Sequence, residues 1–307
     1  MNRITSETAI YGIMGNPLHH SLSPRLHNEV FQRHNINAVY LAFPVAAGGV
    51  AAAVAGLKAL TISGINVTIP HKEAVIPHLD RVDETARAIG AVNTITRRDG
   101  QLVGSNTDWQ GFADSLTHLG FDPAGRQIVL LGCGGSARAV IYALGKKNCK
   151  GIMIYNRTQE KAAAVAEHFS TLFPATRISV RPLADFSRAG GRQPMPIIID
   201  TLPGPVSFTA PPAADQTGEA TLYYPISYGA GARGKQCPAD WQRVDGLAML
   251  VFQACRSFSL WFGRRFSATQ AAAFYGEMLA DLQTANEPDP GGHPETAFFA
   301  SRDIKER

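Results

Sequence analysis

Cysteine is scarce in this 307-residue chain, and the four present form neither a CxxC pair nor a zinc-ligand spacing. Cys133, Cys149, Cys237 and Cys255 are therefore expected to be reduced and structural, which excludes a disulfide-stapled secreted scaffold. No HExxH occurs, and His19-His20 is the only adjacent histidine pair, so no metal site is expected. Long apolar runs are missing too. Ile152–Tyr155 and Ile197–Ile199 are far too short to cross a bilayer. The opening MNRITSETAI lacks an apolar stretch before a small-residue cleavage site, so the expectation is a cytoplasmic protein without a secretory signal. Net charge is only +4 and the lysines and arginines are scattered, which argues against nucleic acid while suiting a small anionic ligand. No internal repeat is visible.

What is present is an alternation of strand and helix patterns, in a chain long enough for two domains. Ala9–Gly15 reads as a buried strand ending at the turn signal Asn16-Pro17. Ser23-Pro24 has the pattern of an N-cap followed by a first-turn proline, opening a helix to about His34. A strand at Val39–Val45, an alanine-rich helix at Ala46–Leu60 and a strand at Gly64–Ile69, stopped by Pro70, follow. A second block begins near Trp109 with a helix at Asp108–Gly120 and a Pro-Gly linker at Asp122–Gly125. Strands are predicted at Gln127–Gly132, Lys150–Asn156, Arg177–Arg181 and Pro196–Thr201, with helices at Ser136–Gly145 and Gln159–Phe173. This succession predicts an α/β protein with parallel sheets, its second block doubly wound around a dinucleotide. Leu247–Phe262 and Ala268–Leu282 read as helices, and the Pro-, Gly- and charge-rich tail from Asn286 is expected to be disordered.

Gly132-Cys133-Gly134-Gly135-Ser136-Ala137 fits G-x-G-x-x-A between a predicted strand and a predicted helix. The first glycine makes the tight turn, the second admits a pyrophosphate to the backbone amides, and Ala137 lets helix and strand pack closely. The plain alternative is an ordinary tight turn. At the end of the next strand an NAD enzyme carries Asp or Glu for the ribose hydroxyls. This chain has Asn156-Arg157-Thr158 with Lys161 one turn into the helix. These groups attract a 2′-phosphate that a carboxylate would repel, so NADP is favoured over NAD. Here the alternative is a helix start that Asn156 or Thr158 merely caps.

Polar strings in the first half look out of place as packing. They are Ser21-Leu22-Ser23, Asn66-Val67-Thr68-Ile69-Pro70 with Lys72, Ala91-Val92-Asn93-Thr94, and Asn106-Thr107-Asp108. Each lies near the end of a strand-like or turn-like stretch, where ligands collect in open α/β sheets. Their chemistry suits a polyhydroxylated acid: hydroxyls for a carboxylate, amides for ring hydroxyls, and one Lys with one Asp for a proton. Singly, each has a dull reading: Ser23 caps a helix, Asn93 fills a turn, Lys72 is a solvated surface residue.

Taken in order, Gly15-Asn16-Pro17 with Ser21-x-Ser23-Pro24, Asn66-Val67-Thr68-Ile69-Pro70-x-Lys72, Gly90-Ala91-Val92-Asn93-Thr94, Gly104-x-Asn106-Thr107-Asp108, the glycine loop, Asn156-Arg157-Thr158 and Asp245-Gly246-Leu247-x-Met249-Leu250-x-x-Gln253 closely resemble the shikimate dehydrogenase family. The resemblance spans roughly residues 10 to 285. It implies two domains: residues 1–108 plus 246–285 for substrate, and residues 109–245 as a Rossmann-like NADP domain inserted between, leaving 286–307 as the tail. It implies Lys72 and Asp108 as the catalytic pair, Ser21 and Ser23 as carboxylate ligands, and Thr68, Asn93 and Gln253 as ligands of the ring and its hydroxyls. Tyr228 matches a family tyrosine near the carboxylate, and Gly246 falls with the cofactor residues.

The implied activity is NADP-dependent, reversible reduction of 3-dehydroshikimate to shikimate in aromatic amino-acid biosynthesis, without a metal. The partners implied are a small shikimate- or quinate-like acid, with the chain a monomer or homodimer. A quinate-acting paralogue is the near alternative. A non-catalytic NADP sensor is a further one, disfavoured because such a protein need not keep a Lys72–Asp108 proton-transfer pair. Two segments depart from the family. Thr201-Leu202-Pro203-Gly204-Pro205 stands where an Asn-Ala-Thr-Ser/Pro-x-Gly loop is usual, and Tyr224-Pro225-Ile226-Ser227-Tyr228 puts proline where the family has an acid. Both departures are expected on the cofactor side of the cleft.

Overall fold

Two runs of apolar strands build two six-stranded sheets in the computed structural model of the chain. It describes residues 4–188, 197–204, 221–228, 235, 237–239, 241–263, 267, 269–274, 276 and 277. In the first lobe β1 (Ala9–Gly15), α1 (Ser23–Arg33), β2 (Ala38–Pro44), α2 (Val50–Ala59) and β3 (Gly64–Val67) alternate as expected. They are followed by β4 (Arg81–Val82), α3 (Glu84–Ile89), β5 (Thr94–Arg98) and β6 (Gln101–Ser105). The sheet order is β2-β1-β3-β5-β6-β4.

β1 runs parallel to β2 and β3, but β5 is antiparallel to both β3 and β6. The all-parallel expectation is therefore corrected to a mixed sheet. The cause is a two-residue hairpin at Asp99-Gly100, both with positive φ, in the tight turn that Asp-Gly favours because its twist matches the flanking strands. This dipeptide was a legible hairpin signal. It also carries function, because antiparallel pairing sets Asn66 opposite Thr94, and Thr94 opposite Ser105. The carboxyl ends of β3 and β6 thus meet the amino end of β5 at one sheet edge.

The second lobe begins with α4 (Asp108–His118), then β7 (Gln127–Leu131), α5 (Gly135–Lys146), β8 (Gly151–Asn156), α6 (Gln159–Leu172), β9 (Arg177–Pro182) and α7 (Leu183–Arg188). β10 (Ile197–Asp200), β11 (Leu222–Pro225) and β12 (Gln242–Arg243) complete a sheet of order β12-β11-β10-β7-β8-β9, all of whose pairings are parallel. The chain winds outward on either side of β7, so the crevice beyond the ends of β7 and β10 is the switch point where such sheets hold ligands. Val140, Leu144, Ile152, Ile154, Val165 and Phe169 lie in the core that clamps α5 and α6 on this sheet.

α8 (Leu247–Phe262) crosses back to the first lobe, packing on α4, α1 and β5. Its crossing with α4 is close because of Gly111, where a Cβ would stand 2.6 Å from the Gln253 backbone nitrogen. Phe258 and Trp261 fill the space beside Tyr11, Phe31 and Tyr40.

Some local expectations need correction. Ser23 does not cap α1: it is the first helical residue, Leu22 holds the cap position, and the Ser23 N–H donates to the Ser21 hydroxyl at 3.3 Å. Pro24 does occupy the first turn. α2 begins at Val50 rather than Ala46, because Gly48 at φ 87° and the Gly49-to-Ala46 hydrogen bond close a turn first. β3 stops at Val67, two residues early. Of the helix expected at Ala268–Leu282, residues 269–274, 276 and 277 are helical; the remainder, and the tail from Asn286, lie outside the described residues.

None of the four cysteines is in a disulfide. Burial pushes the thiols of Cys149 and Cys255 up, to about 11 and about 12, so both stay protonated and unreactive at neutral pH. Among the described residues no helix is long and apolar enough to cross a membrane, and no cluster of His, Cys, Asp or Glu suits a metal ion.

Candidate active site

Lys72 follows the turn after β3, and Asp108 opens α4. The Lys72 ammonium donates to Asp108 Oδ2 at 2.6 Å, and both residues are buried, so the solvated-surface reading of Lys72 fails. A second Nζ–H donates to the Ser136 hydroxyl at 2.9 Å, across the crevice on α5. An ammonium carries three donors, so one N–H remains for a ligand oxygen.

Asp108 is held from behind. Its Oδ1 accepts from Asn93 Nδ2 at 2.7 Å, while Asn93 Oδ1 accepts from the Thr107 backbone N–H at 2.7 Å and from the Thr94 hydroxyl at 3.0 Å. Asn93 Nδ2 also reaches Gln253 Oε1 at 3.3 Å, tying α8 to the pair. Asn106 shapes the turn into α4, donating to the Ala91 carbonyl at 2.8 Å and accepting from the Asp108 N–H at 3.0 Å. Deeper still, Asn66 accepts from the Tyr40 hydroxyl at 2.8 Å and donates to Ser257 Oγ at 2.9 Å. A buried, bonded network of this kind holds its members in one arrangement. Asn66 and Asn106 stood within the polar strings, but their supporting roles were not foreseen. Ser257 was missed; its only signal is its place one helical turn beyond Gln253.

These groups open onto a cavity of about 260 Å³. Ser23, Thr68, Lys72, Asn93, Asp108 and Gln253 line it from the first lobe and α8, with Met249 and Leu250 as apolar wall. Ser136, Thr201, Leu202 and Pro203 line it from the second lobe. Ile226, Ser227, Tyr228 and Gly246 close the remaining side, so the two segments that depart from the family border the same cavity as the residues expected to bind substrate. Gly246 packs directly on the Ile226 carbonyl, where a side chain would collide. Ser21 is not part of the lining; its hydroxyl bonds Tyr228, which is. Burial raises the Tyr228 phenol, partly opposed by the Ser21 hydroxyl and the Leu22 backbone. Tyr40 is raised likewise, by burial and then by Tyr228, with the Ser23 hydroxyl opposing. Both phenols therefore stay neutral donors at neutral pH.

The other side of the crevice is the glycine loop. Gly132 takes φ 98°, and a Cβ there would stand 2.5 Å from Thr201 Oγ1. Gly134 has open space around its missing side chain, and Ala137 is fully buried in the first turn of α5. At Gly135 a Cβ would meet the Lys72 side chain at 2.8 Å, so this glycine lets the loop approach the turn that carries Lys72. The first-turn amides of α5 have no helical carbonyl to bond and offer an anion site.

Asn156, Arg157, Thr158 and Lys161 stand beside this loop, since the Gly132 N–H bonds the Tyr155 carbonyl at 2.9 Å. They do not line the cavity. Neither Asn156 nor Thr158 caps α6 with its side chain; Asn156 Nδ2 instead bonds the Thr158 carbonyl at 2.8 Å. Lys161 reaches Glu73 at 3.4 Å and Arg138 reaches the same carboxylate at 3.5 Å, a loose bridge between lobes that sequence reasoning did not anticipate.

A doubly wound lobe with a glycine loop, facing an ammonium–carboxylate pair across a hydroxyl-rich cavity, defines a dinucleotide-dependent oxidoreductase acting on a carbinol or its ketone. Residues 13–95 match the shikimate dehydrogenase substrate-binding domain, and residues 115–188 match the shikimate/quinate 5-dehydrogenase family. The NADP(+) shikimate dehydrogenase of Moorella thermoacetica is 40% identical over 274 residues, covering 86% of this chain and 91% of that protein. The crystal structure of shikimate dehydrogenase from Aquifex aeolicus superposes with a TM-score of 0.71 at 34% identity, covering 89% of this chain and 99% of that one. A shikimate dehydrogenase crystallised with NADP+ gives 0.72 at 30% identity, covering 90% and 97%. The chain belongs to the shikimate dehydrogenase family.

Proposed function

We propose that the protein catalyses the NADP-dependent, reversible reduction of 3-dehydroshikimate to shikimate, a step toward the aromatic amino acids. The observation that carries this reading is the buried Lys72–Asp108 pair, 2.6 Å apart in a cavity that the glycine-loop helix also touches through Ser136. Residues 1–108 and 246–285 form the substrate lobe in this reading, and residues 109–245 the cofactor lobe.

The hydroxyls of Ser23 and Tyr228 line the end of the site that receives the carboxylate, and Ser21, expected there as a further ligand, reaches it through its bond to Tyr228. Thr68, Asn93 and Gln253 supply donors and acceptors for the ring hydroxyls. The dinucleotide fits what the second lobe presents: a left-handed turn at Gly132, uncrowded space at Gly134 and the amino end of α5. The backbone from Gly132 to Ala137 would hold its phosphates, while Asn156, Arg157, Thr158 and Lys161 would hold the 2′-phosphate. When bound it supplies or receives the hydride.

The protein's own part is the proton. Lys72 donates from Nζ to the carbonyl oxygen during ketone reduction, and its neutral amine takes the proton back in the oxidation. Asp108 aims Nζ, and Asn93 stops the carboxylate from rotating away. Leu202, Met249 and Leu250 keep the reacting centre apolar, which strengthens each of these bonds.

Turnover measured with shikimate and quinate, each with NADP+ and NAD+, tests the reading. Shikimate with NADP+ is expected to give the highest kcat/KM of the four pairs. A preference for quinate would assign the chain to a different substrate, and cofactor binding without turnover on either acid would make it a sensor.

A further inference from the structure

One buried charged group plays no part in the chemistry above. Asp200 ends β10 with no exposed surface, and Lys235 is 2% exposed. The Lys235 ammonium donates to Asp200 Oδ2 at 2.5 Å, and the Tyr223 hydroxyl donates to the same oxygen at 2.7 Å. Asp200 Oδ1 accepts the Leu202 backbone N–H at 2.9 Å, and Lys235 also donates to the Leu202 carbonyl at 2.7 Å. One ion pair thus grips both backbone polar groups of Leu202.

The next residue inward is fixed as well. Thr201 donates from both its backbone N–H and its hydroxyl to the Leu131 carbonyl, at 2.9 and 2.7 Å. Its Oγ1 and the Leu202 side chain both press on Gly132, the turn glycine of the phosphate loop. Thr201, Leu202 and Pro203 then form cavity wall on the side opposite the substrate lobe.

Withdrawing a lysine and an aspartate from water is costly, and apolar residues of similar volume often stabilise a fold as well or better. Stability alone therefore gives little reason for this pair. Its geometry gives a better one: it dictates a single path for a backbone that borders both the glycine loop and the reacting centre. We propose that Asp200 and Lys235 are positioning residues for the dinucleotide, fixing Leu202 so that Thr201–Pro203 forms the wall against which the nicotinamide end lies. This rests on the NADP reading above. It also accounts for the altered segment, because the clamp secures a loop whose sequence departs from the family's.

The test replaces the group by apolar residues of similar size, Asp200→Leu with Tyr223→Phe and Lys235→Met, so that no buried charge is left unpaired. The expected result is a protein that melts near the wild type while kcat/KM for NADP+ falls on the order of 10- to 100-fold, as small misplacements of reacting groups do. Inhibition by adenosine 2′,5′-bisphosphate, which lacks the nicotinamide end, is expected to be unchanged. If the triple variant does not fold, Asp200→Asn with Lys235→Met is read the same way, since Asn keeps an acceptor for Leu202. A folded variant with wild-type constants overturns the proposal, and so does an equal loss for adenosine bisphosphate. A wild-type enzyme inactive with NADP+ would instead overturn the functional reading beneath it.

Discussion

Around the proposed proton-transfer pair, Lys72, Asp108, Asn93 and Gln253 hold one another below the surface through bonds of 2.6 to 3.3 Å. At the edge proposed to take the 2′-phosphate, Arg157, Thr158 and Lys161 are exposed, and Lys161 has a loose bridge to Glu73. The contrast follows from the chemistry proposed for each side. A proton moves only along a short, aligned bond, so its donor must be held before the substrate arrives. A phosphate attracts cations over several ångströms and organises them on arrival, so their side chains can stay solvated. The glycine loop stands between these regimes, with its backbone set in advance and its ligand contacts left open.

The largest expected effect breaks the ordered side. Lys72→Met should lower kcat for shikimate oxidation by about 10²- to 10⁴-fold while leaving shikimate affinity nearly intact, as read by steady-state kinetics beside equilibrium binding. Near-normal kcat would remove Lys72 from the mechanism. Next, Gly132→Ala forces a side chain into a left-handed backbone and against Thr201. The expectation is a loss of roughly 10- to 100-fold in kcat/KM for NADP+, with a lower melting temperature.

On the solvated side, Lys161→Ala should raise KM for NADP+ about tenfold, or ~1.4 kcal/mol, and leave KM for NAD+ unchanged. Added salt should narrow the difference between wild type and variant, because this contact is exposed. Equal losses with both cofactors would show that Lys161 does not read the 2′-phosphate.

The last effect lies outside the chemistry and touches stability alone. His27 is buried beside Phe31 and Trp261, stacked on Tyr40 with ring centroids 4.4 Å apart, and burial lowers its pKa from 6.5 to about 3. Below pH about 6.5 the unfolded chain binds a proton that the folded chain refuses, so acid progressively favours unfolding down to about pH 3. This residue should contribute up to ~1.4 kcal/mol of lost stability per pH unit in that window and nothing above it. Urea unfolding of His27→Phe from pH 7 to pH 4 should show a shallower decline than the wild type, and parallel curves would refute the assignment.

Much of this was legible beforehand because local signals agreed with the final packing. α8 runs from Leu247 to Phe262, β1 from Ala9 to Gly15 and β8 to Asn156, where periodicity and turn residues put them. The glycine loop was readable since its backbone geometry demands those residue types. Less legible were Ser136, whose hydroxyl proved to bond Lys72, and Ser257 and Asn66, whose bonds cross between β3, β5 and α8. Lys235 carried no signal at all, because an isolated lysine in a sequence does not disclose a carboxylate that lies 35 positions away.

The order of residues along the chain by itself determined the alternation of strands and helices, the glycine turn and the chemical types gathered for an acid substrate. Each depends on neighbours only a few positions apart, through backbone sterics and side-chain periodicity. Folding decided which of those groups meet: the Asp99-Gly100 hairpin turns the chain back after β5, so that Asp108, just beyond β6, returns beside Asn93 and Lys72. Close packing at Gly111 and Gly135 then brings α8 and α5 near enough to touch them. Such meetings depend on long-range closure of the chain, whose outcome is settled by the burial of surfaces too far apart in sequence to be read together.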